Sequence, residues 1–165
     1  MKTKRIAKVP SVPTRVEYDA RITSQAAGGF LVQFPDLPGC LTEGGTMEEA
    51  LANAAEALSG WLFVAVKQNQ DVPVPSVHHG RTYHRVEPDM DVTVPLLILW
   101  TRKKKGLTQT QMAEALGVSQ QAYRKLEIPG KSNPRLKTLS RLCGALGLEL
   151  QLRPVGCSAR WRSSR

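Results

Sequence analysis

Residues 28–58 read GGFLVQFPDLPGCLTEGGTMEEALANAAEAL, and within this stretch the hydrophobic period changes once, from two to about 3.6. Phe30, Val32 and Phe34 alternate as they would in a half-buried strand, and the glycine pair before them supplies a turn. PDLPGC then gathers two prolines, an acid, a glycine and a cysteine, residue types that suit either a turn or a chemical site. GCLTEGG reads as a short third strand between turn residues. Thr46 precedes Glu49 by three positions, the spacing of a T-x-x-E capping box. Met47, Ala50, Leu51, Ala54, Leu58, Trp61, Leu62 and Ala65 follow at helical spacing, so one apolar stripe faces the sheet. The helix is expected to end near residues 67–69, before DVPVPSV. Upstream, RVEYDARI (residues 15–22) alternates with Val16, Tyr18, Ala20 and Ile22 on one face, and a last strand is expected in residues 81–86. Together these make a β-β-β-α-β unit.

The chain has 165 residues, of which 41% are hydrophobic, enough for one ordinary core or two small ones. No apolar run approaches the roughly 20 residues of a membrane span. The opening MKTKRIAKVPSVP is basic and has no apolar h-region, so it does not read as a secretory signal. Cys40, Cys143 and Cys157 lie far apart, in no metal-ligand spacing, and a reducing, cytoplasmic setting is expected. Charge is segregated. Residues 16–86 hold 4 Lys and Arg against 8 Asp and Glu, whereas residues 95–155 hold 11 against 3. An acidic body joined to a basic one implies two domains with opposite electrostatic preferences. The domains expected are residues 14–86, a linker or short strand at 87–94, a basic helical domain at 95–155 and a disordered tail at 156–165. DVTVP (91–95) and LELQLRPV (148–155) both alternate and are expected to be strands, pairing with each other or across a dimer.

In the basic half, LTQTQMAEALGVSQQAYRKLE (107–127) carries the most specific pattern. Thr108 and Gln111 form a reciprocal cap, and Met112, Ala113 and Leu116 make an apolar face. Gly117 takes a tight turn, Val118 is expected to pack inward, and Ser119 caps a second helix running to Leu126. A third helix is expected with Asn133 as cap, Pro134 at its first position, Leu136, Leu139, Leu142, Cys143 and Leu146 facing inward and Gly147 as stop. Residues 97–146 resemble the Cro/phage-repressor (XRE-type) helix-turn-helix family, departing from it at EIPGKSNP, where the family has a shorter turn. The resemblance implies double-stranded operator DNA as a partner. It places Gln109 and Ser119 at the DNA surface, and Gln120, Gln121, Arg124 and Lys125 at the major groove. Glutamine amides can read adenine, and Lys or Arg can read guanine. Arg102 to Lys105 and Lys131 would add phosphate contacts, which position without specifying. Tyr123 and Leu126 are expected in the core. Such modules dock as two-fold dimers, so a homodimer or homotetramer is expected.

The first half, through GGFLVQFPDLPGCLTEGGTMEEALANAAEAL, the following W and VPVPS, resembles the HicB antitoxin family of type II HicAB toxin–antitoxin systems over about residues 15–76. The resemblance implies an α+β fold class: a partial RNase H-like β-β-β-α-β domain followed by the all-α helix-turn-helix domain flanked by short strands. It also implies a small basic RNase toxin, HicA, as partner, blocked by the first domain, with the second repressing the operon. Glu17, Asp19, Asp36, Glu43 and Glu48 would then present negative charge to the toxin. A two-metal phosphodiesterase would need several of these carboxylates to converge, and a ligand-sensing regulator is the third reading. We expect neither catalytic residues nor metal or cofactor: Glu48 and Glu49 suit a helix N-terminus, Asp36 suits a Pro-Asp turn, Cys40 reads as a buried small hydrophobe, and His78, His79 and His84 are expected in an exposed loop.

Overall fold

The computed structural model describes Pro13 and residues 15–151. In chain order the elements are β1 (Tyr18–Ser24), β2 (Phe30–Gln33), β3 (Leu41–Gly44), α1 (Met47–Lys67), β4 (Tyr83–Val86), α2 (Met90–Lys104), α3 (Gln109–Leu116), α4 (Gln120–Leu126) and α5 (Leu136–Leu146). The strands form one antiparallel sheet in the order β3-β2-β1-β4. The chain is therefore α+β, with the sheet and α1 first and the helical module last.

The change of period within residues 28–58 becomes the packing of α1 on the sheet. Ala50, Ala54, Leu58, Leu62 and Ala65 bury against Tyr18, Ala20, Ile22 and Val32. Contact is close because Gly44 has no side chain: a Cβ there would lie 2.4 Å from the Ala50 nitrogen. Thr46 Oγ1 accepts from the Glu49 N–H at 3.1 Å, and the Glu49 carboxylate reaches back to the Gly45 N–H at 2.9 Å, one residue earlier than a strict capping box.

Residues 91–95 are not a strand. They form the first turns of α2, because Val92 continues at intervals of four into Leu96 and Trp100, and all three bury in the first core. A five-residue alternation is compatible with both periods, and burial of the longer stripe decides between them. Leu148 to Gln151 carry no regular structure, so the expected pairing of the two segments is absent among the described residues. Residues 152–155 and the expected tail at 156–165 lie outside them.

The second core gathers Ile98, Met112, Ala113, Leu116, Tyr123, Leu142 and Leu146. Thus α2 serves both cores, from different faces. α5 begins two residues later than expected, with Arg135 rather than Asn133 at its cap, and no side chain bonds that cap. The preceding loop accounts for the delay: Pro129 is buried, and Gly130 lies so near Phe63 of α1 that a Cβ would fall 2.9 Å from its ring. Leu136 consequently sits on the outer side of the first turn, 72% exposed instead of inward. Among the described residues no helix is long and apolar enough to cross a membrane.

Candidate nucleic-acid interface and partner surface

Thr108 and Gln111 form the reciprocal cap of α3: the Gln111 N–H donates to Thr108 Oγ1 at 3.1 Å, and the Thr108 N–H donates to Gln111 Oε1 at 2.8 Å. Gly117 takes the left-handed conformation, φ 61° and ψ 40°, that ends α3 without a Cβ clash. Ser119 Oγ caps α4 by accepting from the Ala122 N–H at 3.2 Å. Val118, expected inside, is 37% exposed at the turn. On α4, Gln120, Gln121, Arg124 and Lys125 all point to solvent, while Tyr123 is fully buried and Leu126 half-buried beneath them. Four polar or basic side chains thus share the outward face of a short helix that a capped turn sets against α3.

Beneath that face lies an ionic cluster that the sequence reading missed. Glu127 is only 2% exposed. Its carboxylate accepts from Arg102 Nε, from Arg102 Nη2 at 3.0 Å, from Gln109 Nε2 at 2.9 Å and from the Tyr123 hydroxyl at 2.7 Å. Arg102 also donates to the Leu107 carbonyl at 2.8 Å. Arg102, expected to touch DNA phosphates, is therefore an internal residue, its guanidinium pKa held above the ordinary value by bonding to Glu127. Burial raises the Tyr123 phenol, reinforced by the Glu127 charge. Gln109 is half-buried with its amide nitrogen committed to Glu127, and Lys103 pairs with Asp71 at 2.9 Å. Lys104, Lys105 and Lys131 are exposed.

The expected partner-binding acids separate into three places. Glu17 lies between Arg15 and Arg85, at 3.2 and 3.8 Å. Asp19 and Asp36 are joined by the segment after α1. The Ser76 N–H and hydroxyl both donate to Asp36, at 2.8 and 2.5 Å, and the His78 N–H donates to Asp19 at 2.7 Å. His78 Nε2 lies 3.2 Å from Asp36 and 3.1 Å from Ser76 Oγ, and its ring stacks on Tyr83. His78 is thus a fastened residue, not part of a free loop. The serine and the acid meet the same ring nitrogen, which is not the relay geometry of a Ser-His-Asp nucleophile. Burial alone would raise the Asp36 pKa, but the Ser76 donors and His78 outweigh it and hold the carboxyl below its ordinary 3.8. Cys40 is buried, its thiol pushed up to about 11 by desolvation, the opposite of an activated nucleophile. Among the described residues no three His, Cys, Asp or Glu side chains gather as they would to hold a metal ion.

Glu43 and Glu48 lie elsewhere, where β3 meets the start of α1. Asn53 Nδ2 donates to the Glu43 carbonyl at 2.8 Å. Beside it, Thr46, Glu48, Glu49, Ala52, Asn53 and Glu56 line an open groove of about 650 Å³. All four of these glutamates, Glu43 included, are exposed, and no Lys or Arg occurs anywhere from residue 22 to residue 66.

Residues 18–97 match the family described as HicB_like antitoxin of bacterial toxin-antitoxin system, and residues 98–152 match the helix-turn-helix family. "Antitoxin HicB 1" of Photorhabdus laumondii is 29% identical, over 83% of this chain and 86% of its own length. "Antitoxin HicB" of Escherichia coli K12 is 28% identical, over 83% of this chain and 98% of its own. "UPF0150 protein Ta0767" of Thermoplasma acidophilum is 38% identical over 35% of this chain, which covers 84% of that protein. With the sheet-and-helix unit and the capped helical pair each matched in its own place, the chain belongs to the HicB-like antitoxin family and carries a C-terminal DNA-binding helix-turn-helix.

Proposed function

We propose that this antitoxin neutralises a small basic HicA-type RNase toxin by occluding its active or RNA-binding surface, and represses its own operon through α4. The observation that carries the toxin surface is the segregation of charge. The groove along the start of α1 holds three exposed glutamates, Glu48, Glu49 and Glu56, with the exposed Glu43 of β3 beside it, within a stretch free of basic residues, so a basic partner is attracted and its register fixed. Glu43 and Glu48, with Glu56, are the acids free to serve; Asp19 and Asp36 are spent on internal donors, Glu49 on the Gly45 N–H, and Glu17 on Arg15 and Arg85. The chain acts by occlusion and not as an enzyme, in the cytoplasm, without a cofactor, and as a homodimer or homotetramer that presents two reading helices. Ser119, Gln120, Gln121, Arg124 and Lys125 face the operator, with Gln109 and Lys131 toward the phosphates.

The test is co-expression with the small gene adjacent to its own. Wild type should restore growth and co-purify with the product, whereas Glu48→Lys with Glu56→Lys should lose the complex and the rescue yet still bind operator DNA. Retention of the complex by that double variant places the toxin elsewhere. Two-metal hydrolysis has no comparable starting observation, since the carboxylates of β1 and of the β2–β3 turn already accept bonds from residues 76 and 78.

A further inference from the structure

Residues 71–80 have no regular secondary structure, yet they are fastened along their length. Two ties hold the beginning of this strap to α2, the helix that runs into the DNA-binding module. The buried Trp100 indole N–H donates to the Val72 carbonyl at 3.2 Å, and Lys103 pairs with Asp71 at 2.9 Å. In the middle, the Tyr18 hydroxyl donates to the Pro73 carbonyl at 2.6 Å, and Val72 and Val74 pack into the first core. At the far end Ser76 and His78 latch onto Asp36 in the β2–β3 turn and Asp19 in β1.

Sequence explains why this segment is a strap. In VPVPS each proline fixes its own φ near −65° and biases the preceding valine to extended backbone. The chain is consequently stiff, in the manner of a proline-rich spacer. Pro73 and Pro75 offer no N–H, and the carbonyls of residues 72 and 73 both serve as anchors. From residue 72 to residue 78 such a chain reaches at most about 20 Å. A stiff element tied at both ends passes a displacement along instead of absorbing it.

We propose that residues 71–80 form a tether through which the β2–β3 turn sets the operator affinity of the helix-turn-helix. Its two states are latched, with Ser76 and His78 bound to Asp36 and Asp19, and released, with those bonds broken and the hold on Trp100 loosened. Loosening frees α2 from the first core, and Ile98 of α2 lies in the second core against which α3 to α5 pack. The tether rests on the DNA-binding assignment and not on the proposed toxin groove. A partner that contacts the PDLPGC turn, which Trp61 of α1 also holds through the Pro38 carbonyl at 3.2 Å, would act on the latch directly.

The test uses the full chain and a duplex from upstream of its own coding sequence. Gln121→Ala serves as the variant that fails to bind through the reading helix itself. Asp19→Ala with Asp36→Ala, which removes the acceptors of both the backbone N–H and the side-chain bonds of Ser76 and His78, should retain wild-type circular dichroism, move the Trp100 indole N–H resonance and weaken operator binding about fivefold or more, the lower end of coupling between linked sites. Val77→Ala, at a position 68% exposed, should change neither. A folded double variant with unchanged Trp100 resonance and unchanged affinity overturns the proposal. Coupling is reciprocal, so a second measurement runs the other way and survives any folding defect in the first. Trp100→Phe, which removes the indole donor, should speed hydrogen exchange at the His78 amide. Unchanged exchange there also overturns it.

Discussion

Replacing Glu127 by alanine tests whether the helical module is built around this buried carboxylate cluster. Glu127 is 2% exposed and accepts from Arg102, Gln109 and Tyr123, with two of those bonds coming from the guanidinium. Glu127→Ala leaves Arg102, whose side chain is 11% exposed, with its charge buried and only the neutral Leu107 carbonyl among these partners still bonded. Breaking one side of a buried pair costs about 3–5 kcal/mol, a large part of the roughly 5–15 kcal/mol that a whole domain possesses. With a urea slope of about 2 kcal/mol per molar for a unit of this size, the midpoint should fall by about 2 M. Urea titration followed by circular dichroism reads the shift, and binding to operator DNA reads the consequence. Glu127→Gln keeps the volume and one acceptor oxygen, so it should fall between wild type and the alanine variant. It should also weaken DNA binding, since Gln109 loses a charged acceptor that fixes its rotamer. A loss below about 1 kcal/mol in the alanine variant would refute the central role given to this carboxylate.

Three further outcomes are expected. Gly44→Ala should lower stability by about 3 kcal/mol in urea melts, the upper range for overpacking, because its Cβ would meet the Ala50 backbone at 2.4 Å; an unchanged midpoint would mean that α1 lies farther from β3. Asp36 has a lowered folded pKa, so its contribution is fully present above the ordinary value of 3.8 and is lost as pH falls through the lower folded value; Asp36→Asn should flatten the acid limb of a stability-versus-pH profile below 3.8, and an unaltered profile would remove Asp36 from the latch. Gln121→Ala should abolish sequence-specific operator binding in a fluorescence anisotropy titration, leave toxin neutralisation intact and keep the steep salt dependence of residual phosphate contacts; full operator binding would misplace the reading helix.

What the sequence made legible follows from the range over which each pattern acts. The stripe from Met47 to Ala65 spans several turns, and only one period satisfies it; α1 therefore ends at Lys67, within the expected 67–69. The caps at Thr46, Thr108 and Ser119, and the left-handed Gly117 and Gly147, depend on neighbours within four residues and were equally readable. Contacts between distant residues were not. Nothing local links Asp19 to His78, 59 positions on, or Asp36 to Ser76, 40 positions on. Likewise Arg102 read as one more cation in a basic run, and only its packing against Glu127, 25 residues on, removes it from the DNA surface. The most instructive failure is DVTVP. Its alternation fits a strand, and glutamate, proline and aspartate just before it look like a linker. Yet Val92, Leu96 and Trp100 complete the first core while Ile98 enters the second. The two family matches meet between residues 97 and 98, inside α2. A boundary that is sharp in sequence is thus a continuous helix in space, and the DNA-reading half is attached by packing rather than by a free joint. A partner that shifts α1 or the strap would reach the helical module through that shared helix and through the close approach of Gly130 to Phe63 of α1, with no flexible linker in between to absorb the change.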